Sequence, residues 1–385
     1  MYKRIMQKIL LYACEKFPVI TLTGPRQSGK TTLVKTTFPE KKYVSMEDME
    51  DRDFAQNDPK GFLKTYENGA IIDEIQYVPN LFSYIQTHVD STQKMGEFIL
   101  TGSQQFLLIE KITQSLAGRS CVLQLLPLCI DELSPPMDAS PFEYIFKGFY
   151  PGLYDRDINA SLFYKSYMNT YIERDVRTLK NIKDLSKFKT FLQICAGRIG
   201  QLLNMSSLGN DCGTDQETVK SWLSILETSY ILFLLRPHHA NFNKRLTKQP
   251  KLYFFDTGLA SYLLGLDTSQ DLLKHFARGP LFENYVALEL IKQRYNQGKE
   301  SNLFFWRDHT GHEVDFIIDK HTRLIPLEAK SSQTSSSSFF KDIIYWQALA
   351  KEDKGYLVYA GIKEHLGSQI SVLPWNKINF INNGL

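Results

Sequence analysis

The stretch Gly24-Pro25-Arg26-Gln27-Ser28-Gly29-Lys30-Thr31 decides the fold of the first third of this 385-residue chain. It follows an apolar run at residues 18–23 (PVITLT) and has the Walker A pattern G-x-x-x-x-G-K-[ST], which binds phosphate groups. Its glycines let the backbone curl so that N–H groups converge on phosphate oxygens, and the next helix adds its positive N-terminus. Residues 31–37 (TTLVKTT) predict that helix. The alternative is an ordinary glycine-containing turn.

The residues of this loop have predicted contacts to a bound nucleotide. We expect the Lys30 ammonium to reach the β- and γ-phosphates and the Thr31 hydroxyl to bind Mg²⁺. The predicted nucleotide-binding residues are Gly24, Pro25, Arg26, Gln27, Ser28, Gly29, Lys30, Thr31 and Thr32.

A pair of carboxylates follows at a suitable distance along the chain. Residues 70–74 (AIIDE) form an apolar strand pattern that ends in Asp73 and Glu74. Two acids that close a buried strand are costly unless they bind something positive. We therefore expect Asp73 to hold Mg²⁺ and Glu74 to polarise the attacking water, so that both act with Lys30 and Thr31 in nucleotide hydrolysis.

Two further positions are candidates for sensing or stabilising phosphate charge. The strand pattern at residues 97–101 (EFILT) ends beside Ser103 and Gln104, either of which can sense the γ-phosphate. Alternatively, Ser103 caps a helix. Arg119 can stabilise the transferred phosphoryl group of its own or a neighbouring subunit, or it is a surface arginine that follows a helix-capping glycine.

The stretches TGPRQSGKTTL, IIDEIQYVPN, ILTGSQQFLL and SLAGRS resemble those of a prokaryotic AAA-type P-loop ATPase family. The resemblance runs along the whole chain, through YIERDVRTL at residues 171–179 and FENYVALEL at residues 282–290. It implies an α/β fold with a doubly wound parallel sheet for a P-loop ATPase domain at residues 1–160, with ATP and Mg²⁺ as its ligands. It also implies that Arg174 and Arg177 approach the nucleotide, against the alternative that they are solvated helix charges.

Residues 161–260 predict a helical linker and a winged helix-turn-helix domain. Apolar residues recur at helical spacing in residues 187–205 and 214–230, and strand patterns follow at residues 231–235 and 252–255. A basic loop separates the two strands. Helix, turn, helix and basic hairpin is the layout in which the second helix enters a DNA groove and the wing contacts phosphates.

Particular residues support this layout and its alternatives. A turn is predicted at Gly209, Asp211 and Gly213, and Thr214 with Glu217 matches a capping box. The expected phosphate contacts are Lys220 on the second helix and Lys244, Arg245, Lys248 and Lys251 in the wing. Asp215 and Glu217 at the helix start would repel phosphate, so nonspecific DNA contact, or a protein-contact module, is favoured over base reading.

Residues 261–385 resemble the restriction-endonuclease-like superfamily, whose core order is helix, three strands, helix and strand. The helix is predicted at residues 281–294, the strands at 303–306, 313–319 and 324–330, and the later elements at 338–350 and 355–359. The superfamily signature is an Asp, a gap, then E-x-K. Asp315 with Glu328-Ala329-Lys330 matches it.

Strand alternation explains why these residue types belong together. It places Glu328 and Lys330 on one face, beside Asp315 on the neighbouring strand. Asp315, Glu328 and Lys330 are the predicted catalytic residues of this part, and Glu283, Asp315 and Glu328 the predicted Mg²⁺ ligands. The alternative is a nuclease fold that only binds. His309 and His312 are interpreted as residues of a turn.

Composition bounds the class of protein without naming its partner. The chain holds 45 basic and 42 acidic residues, and its three parts carry net charges of −3, +6 and 0. A protein that is basic all over is thereby excluded, but a local nucleic-acid site is not. No apolar run is long enough for a membrane helix, and no signal peptide is evident. No two of the five cysteines have the C-x-x-C spacing of metal or redox sites, which indicates free thiols. We therefore expect a cytoplasmic protein.

The sequence thus predicts an Mg²⁺-dependent ATPase that couples its nucleotide state to the binding or cleavage of nucleic acid, with DNA favoured over RNA. The prediction includes assembly into a homo-oligomer as an option. The alternative is a nucleotide-switched regulator that binds DNA or protein through an inactive nuclease-like fold. A small-molecule P-loop kinase is a third hypothesis, which the Asp73-Glu74 pair and the long appended parts disfavour.

Overall fold

The computed structural model describes residues 2–103, 114–171, 184–238 and 247–383. They divide into two compact units. Unit 1 comprises Met1–Leu128 with Arg294–Glu300, and unit 2 comprises Cys129–Gln293 with Ser301–Leu385. The three-part division at residues 160 and 260 stays a prediction.

Unit 1 is built on a parallel five-stranded sheet with the strand order β2-β3-β4-β1-β5. The strands are β1 (Val19–Thr23), β2 (Lys42–Ser45), β3 (Ala70–Asp73), β4 (Phe98–Gly102) and β5 (Ser120–Gln124). All of β1, β3 and β4 is buried, as strands covered on both faces must be. The predicted parallel α/β sheet is confirmed.

Helices cover both faces of this sheet. They are α1 (Gln7–Lys16), α2 (Lys30–Thr37), α3 (Met49–Asn57), α4 (Pro59–Thr65) and α5 (Leu81–Thr92). Ile20 and Leu22 of β1 pack with α1 and α2, whereas Val19 packs in a second core with α4 and α5. Alternate residues of one strand therefore serve two cores, which explains its continuous apolar run.

The register of the strands brings the predicted nucleotide residues to one edge of the sheet. Thr23 of β1 pairs with Gly102 of β4, and Ile72 of β3 pairs with Leu100. Parallel strands end at the same edge, so the loop after Thr23, the acids after Ile72 and Ser103 lie together.

The first half of unit 2 is helical. Its elements are α6 (Ile130–Leu133), α7 (Pro141–Lys147), α8 (Pro151–Asp155), α9 (Ala160–Tyr171), α10 (Leu185–Gly197), α11 (Met205–Cys212), α12 (Gln216–Thr228) and an antiparallel pair, β6 (Leu232–Leu235) and β7 (Lys251–Phe254). The helices and strands after residue 184 follow the predicted order, with one additional helix.

Two local predictions in this half are wrong. The predicted turn at Gly209, Asp211 and Gly213 is wrong for the first two residues, which lie in helix α11, because Asn204 caps that helix by accepting the Ser207 N–H at 3.0 Å; Gly213 alone ends it, with φ +65°. The predicted capping box also fails. Asp215, not Thr214, caps α12, because its carboxylate accepts the backbone N–H of Thr218 at 2.8 Å.

The described ends of the predicted wing do not stand free. After β6, the backbone N–H of His238 donates to the carbonyl oxygen of Phe305 at 2.7 Å. Pro237 also forms an isolated parallel β-bridge with Phe305. Before β7, the backbone N–H of Thr247 donates to Arg307 at 3.3 Å. Both flanks of the hairpin loop thus lie along a strand of the second sheet, described next.

The second half of unit 2 contains a mixed sheet of order β12-β11-β10-β9-β8. Its elements are α13 (Thr257–Leu263), α14 (Ser269–Lys274), α15 (Arg278–Tyr295), β8 (Leu303–Arg307), β9 (Glu313–Asp319), β10 (Leu324–Lys330), α16 (Lys341–Ala350), β11 (Gly355–Tyr359), β12 (Ile370–Pro374) and α17 (Phe380–Asn383). Strands β8 to β10 are antiparallel, and β10 to β12 are parallel. The secondary-structure elements predicted here are confirmed, and the superfamily stays a prediction.

Two global features of the described residues complete the fold. No helix among them is long and apolar enough to cross a membrane. All five cysteines are free, as their spacing predicted.

Candidate functional site

The phosphate loop has the backbone conformation that its glycines predict. Gly24 has φ +143° and Gly29, which caps α2, has φ +91°. A Cβ atom on Gly24 would lie 2.1 Å from the Leu125 carbonyl oxygen, so no other residue fits there. Gln27 adopts φ +60°, a conformation uncommon outside glycine.

Lys30 is buried at the base of this loop without a carboxylate partner among its hydrogen bonds. Its Nζ donates to the carbonyl oxygens of Gly24 at 2.9 Å and Pro25 at 2.8 Å. Burial lowers the pKa of Lys30 to about 8, and Glu74 and Asp73 nearby oppose that shift. The ammonium is thus held by neutral dipoles, which leaves its charge available to an anion.

Asp73 is surrounded by hydroxyl donors. Its Oδ2 accepts Thr31 Oγ1 at 2.8 Å and Tyr43 OH at 2.9 Å, and its Oδ1 accepts Thr101 Oγ1. Burial, followed by the charge of Asp73, raises the pKa of Tyr43 to about 12. The predicted pair of Mg²⁺ ligands, Thr31 and Asp73, therefore lies in direct contact.

Glu74 stands beside this pair in a left-handed conformation with φ +54°. Such a conformation costs free energy in a residue other than glycine and is concentrated at functional sites. Its Oε2 accepts Gln76 Nε2 and, at 3.2 Å, Ser103 Oγ. Ser103 thus reaches the side chain that was predicted to act on water.

One buried atom tests whether the loop suits a phosphate group. Within the described part of the chain, the buried Ser28 Oγ has no hydrogen-bond partner. Arg4 supports the loop through the Ser28 carbonyl at 2.7 Å and Leu126 at 2.7 Å. An unsatisfied hydroxyl in the same loop as a buried ammonium, followed by the Thr31 and Asp73 pair, fits a nucleotide phosphate with Mg²⁺.

Arg119 lies elsewhere, which corrects half of its prediction. Its carbonyl accepts the Val19 N–H, so it precedes β5 at the edge of the sheet opposite to the phosphate loop. Its guanidinium pairs with Asp90 at 2.5 and 2.9 Å. Because the strands separate it from the loop, Arg119 does not stabilise phosphate in its own chain. Its action in a neighbouring subunit stays a prediction.

The second candidate site is the carboxylate cluster of unit 2, which we define as Glu283, Glu313, Asp315 and Glu328. Strands β9 and β10 pair as far as Phe316 and Leu327, and Asp315 and Glu328 follow at the next position of each strand. Lys330 Nζ bonds to Glu328 Oε2 and lies 3.5 Å from Asp315 Oδ2. The three predicted catalytic residues of this part are therefore in contact.

Lys251 and Tyr253 of β7 complete the cluster. Lys251 Nζ lies 3.0 Å from Glu283 Oε1 and 2.5 Å from Glu313 Oε1, and only 2% of its side chain is exposed. Tyr253 OH donates to Glu283 Oε1 at 2.5 Å. The prediction that Lys251 contacts DNA phosphate at the surface is wrong, because the cluster buries and neutralises its charge.

The acids respond differently to this environment. Burial is the largest influence on all three, and it raises the pKa of Glu283 and, with Asp315, puts the pKa of Glu328 well above its usual value. Burial also acts to raise the pKa of Asp315, but Lys330 and Lys251, together with hydrogen bonds from Glu328 and the Ala329 N–H, lower that pKa overall. The environment thus favours the charged form of Asp315 over that of Glu328.

The cluster does not match the predicted metal site in its present arrangement. Among the described residues, no group of three or more His, Cys, Asp or Glu side chains is placed to hold a metal ion. Asp315 Oδ2 already accepts the Ala329 N–H at 3.0 Å, and Glu328 Oε1 accepts the Asp315 N–H at 3.3 Å. The predicted Mg²⁺ set of Glu283, Asp315 and Glu328 does not fit, because lysines and backbone donors engage its oxygens.

The structure shows several contacts that sequence analysis missed. Tyr43 of unit 1 lies in none of the family-like stretches, whereas Gln76 and Thr101 lie within two of them but were given no role. Lys251 and Tyr253 did carry a signal, because alternation along β7 puts them on one face of a fully buried strand. The predicted residues Gln104, Arg174, Arg177, Lys244 and Arg245 lie outside the described residues.

Family models match three consecutive parts of the chain. Residues 16–134 match a family described as an AAA domain, which agrees with the parallel sheet and phosphate loop of unit 1. Residues 139–270 and residues 278–378 match two different domains of unknown function.

Several proteins and solved structures are similar to the chain. Uncharacterised proteins of Mycobacterium tuberculosis and Mycobacterium bovis are each 28% identical over 330 residues, which is 85% of this chain and 73% of theirs. A Walker-type ATPase of Pyrococcus abyssi has 15% identity and a TM-score of 0.47, over 68% of this chain and 96% of its own. The RuvB Holliday junction branch migration motor of Thermotoga maritima has 18% identity and a TM-score of 0.32, over 60% and 88%.

Proposed function

We propose that this protein is an Mg²⁺-dependent ATPase. The observation that carries the proposal is the contact of Thr31 with Asp73 beside a buried Lys30 that has only neutral hydrogen-bond acceptors. A lysine charge without a paired carboxylate, beside a hydroxyl and carboxylate pair, suits a phosphate chain carrying Mg²⁺. The match of residues 16–134 to an AAA domain supports the same activity.

The residues of the loop would bind the nucleotide in distinct ways. Backbone N–H groups of residues 26–29, the Ser28 hydroxyl and the Lys30 ammonium bind phosphate oxygens. Thr31 and Asp73 hold Mg²⁺, and Tyr43 and Thr101 orient the Asp73 carboxylate through their hydroxyls. When bound, Mg²⁺ offsets the charge of the β- and γ-phosphates.

Glu74 would accept a proton from the attacking water. In the described conformation its Oε2 is engaged by Gln76 and Ser103, so it has to leave at least one of them to reach a water molecule. Both polar side chains therefore position Glu74, and Ser103 links its position to the end of β4 beside the phosphate loop.

ATP turnover by the purified full-length chain tests this proposal. Lys30→Ala should reduce the rate of phosphate release by about a hundredfold or more, because the charge on the transferred phosphoryl group loses the cation that the loop supplies. Lys64→Ala is the matched control, since Lys64 is an exposed lysine of the same unit. Unchanged turnover in Lys30→Ala, with wild-type rates in Lys64→Ala, would contradict the assignment.

We further propose that unit 2 binds nucleic acid without cutting it, under control of the nucleotide. Exposed lysines on α10, α12 and the approach to β7 supply positive charge: Lys187, Lys189, Lys220 and Lys248. Lys251 and Lys330 form ion pairs with the carboxylate cluster, and the described residues of the cluster are not arranged to hold Mg²⁺. Because cleavage would need such a site, this arrangement favours binding over cleavage. Asp215 and Glu217 at the start of α12 favour contact with the backbone rather than with bases.

Fluorescence anisotropy with labelled duplex DNA, single-stranded DNA and RNA tests this second part. We expect salt-sensitive binding to at least one of them, with an affinity that differs between ATP and ADP. The same substrates should stay intact in Mg²⁺ and in Mn²⁺. Cleavage that disappears in Asp315→Asn would overturn the proposal, and so would the absence of binding to all three.

A further inference from the structure

Lys251 occupies a position that is unusual for a lysine. Its ammonium lies between Glu283 at 3.0 Å and Glu313 at 2.5 Å, over the ring of Phe305 at 5.4 Å. Among the described lysines of the cluster it is the more buried, with 2% of the side chain exposed against 32% for Lys330. Here two carboxylates compensate the charge of the buried lysine.

The backbone of β7 fixes this lysine in place. Asn284, the residue after Glu283, accepts the Phe254 N–H at 2.7 Å and donates to the Phe254 carbonyl at 2.8 Å. The Asn284 side chain is fully buried, so both bonds are shielded from water. Adjacent residues of α15 therefore hold β7 by its backbone and by its Lys251 and Tyr253 side chains.

The charges of the cluster are nearly balanced from within the chain. Four carboxyl groups, of Glu283, Glu313, Asp315 and Glu328, meet three cations. Lys251 contacts Glu283 and Glu313, Lys330 contacts Asp315 and Glu328, and Arg307 lies 2.9 Å from Glu313. A divalent cation that bound these oxygens would face an ammonium within a few ångströms, and their repulsion opposes binding.

We propose that the Lys251 ammonium is the resident cation of the carboxylate cluster and excludes divalent cations from it while β7 is packed against α15 and β9. The contact is an internal block of a potential metal site. Lys251 belongs to β7, whereas Glu283, Asp315 and Glu328 belong to α15, β9 and β10. Displacement of one short strand would therefore remove the Lys251 ammonium from the cluster, while Lys330 would stay beside Asp315 and Glu328.

Titration of the full-length protein with Mn²⁺ in the absence of nucleotide tests the block. Electron paramagnetic resonance measures the free Mn²⁺, and four variants accompany wild type. Lys251→Met removes the charge and preserves most of the buried volume. Lys251→Arg keeps a cation in place. The double variant K251M/D315N and the single variant D315N remove the Asp315 carboxylate without and with Lys251 present. Thermal unfolding checks that each protein is folded.

We expect Lys251→Met to bind one Mn²⁺ at least about tenfold more tightly than wild type, because the competing cation is absent. Lys251→Arg should resemble wild type, and K251M/D315N should lose the added site. Two results would overturn the proposal: folded Lys251→Met without an added site, or wild type that binds Mn²⁺ at a site lost in the single variant D315N. The second comparison does not require a folded Lys251→Met. Neither result bears on ATP turnover, which needs the loop of unit 1.

Discussion

The phosphate loop of unit 1 and the carboxylate cluster of unit 2 combine similar residues with opposite consequences. Both bring buried lysines near acids. In the loop, Lys30 donates to two carbonyl oxygens and Asp73 accepts hydroxyl groups. In the cluster, Lys251 and Lys330 pair directly with carboxylates. Charges held by neutral dipoles are available to a ligand, whereas charges that neutralise one another are not.

Truncation of each buried lysine gives the largest difference between the two sites. Lys251→Ala should lower the free energy of unfolding of unit 2 by about 3–5 kcal/mol, because it leaves Glu283 and Glu313 without their buried counter-ion. Lys30→Ala should lower the free energy of unfolding of unit 1 by less than about 1.5 kcal/mol, because no carboxylate loses a directly bonded partner. Urea unfolding measures both.

The chain makes this measurement selective. All four tryptophans, Trp222, Trp306, Trp346 and Trp375, lie in unit 2, so their fluorescence follows that unit, and circular dichroism follows both. Lys248→Ala is the matched control, since Lys248 is an exposed neighbour of Lys251. Equal losses in Lys251→Ala and Lys30→Ala would contradict the distinction.

Glu74→Gln should reduce ATP turnover by about two orders of magnitude, because an amide cannot accept the proton of the attacking water. Binding of a fluorescent ATP analogue should persist, since Glu74 contacts Gln76 and Ser103 rather than the loop. Glu67→Gln, at an exposed position of unit 1, serves as the control. Loss of nucleotide binding in Glu74→Gln would argue for a structural rather than a catalytic part for this residue.

Two glycines beside the two sites allow a matched comparison. Gly24→Ala should weaken nucleotide binding at least about tenfold, because the new Cβ would lie 2.1 Å from a backbone oxygen of Leu125 and the loop must move. In Gly200→Ala the new Cβ would lie 3.3 Å from Glu283 Oε2, at a residue with φ +73°. Because alanine is strained at this φ, the substitution should lower the free energy of unfolding by about 1 kcal/mol. It should leave nucleotide binding unchanged. Wild-type affinity in Gly24→Ala would show that the loop is less constrained than its geometry indicates.

Arg119→Ala should have the smallest effect of all on the isolated chain. Its pairing with Asp90 is exposed, and solvent screens such pairs. We expect no resolvable change in the midpoint of thermal unfolding. A fall in ATP turnover that grows with protein concentration would instead indicate that Arg119 acts in a neighbouring subunit of a homo-oligomer, and sedimentation velocity would then detect that assembly.

The sequence was sufficient for features that depend on neighbouring residues. The apolar runs before Gly24, Asp73 and Ser103 predicted strands, and their polar ends predicted a common edge, because parallel strands terminate together. Likewise, alternation placed Glu328 beside Lys330 on β10. Helix ends were less accurate: Asp215 caps α12 instead of Thr214, because several nearby residues can supply an equivalent acceptor.

Only the tertiary structure decided which charges are available. Lys251 lies in a basic stretch of sequence that predicted a DNA-binding wing, yet its partners Glu283 and Glu313 are 32 and 62 positions further along the chain. Arg119 lies within the family-like stretch SLAGRS but precedes β5 at the edge opposite to the loop. Local patterns establish strands and loops through contacts close in sequence. Whether a charged side chain is available to a ligand depends on its burial and on partners that are distant in sequence and brought close by the fold. Local sequence patterns do not contain that information.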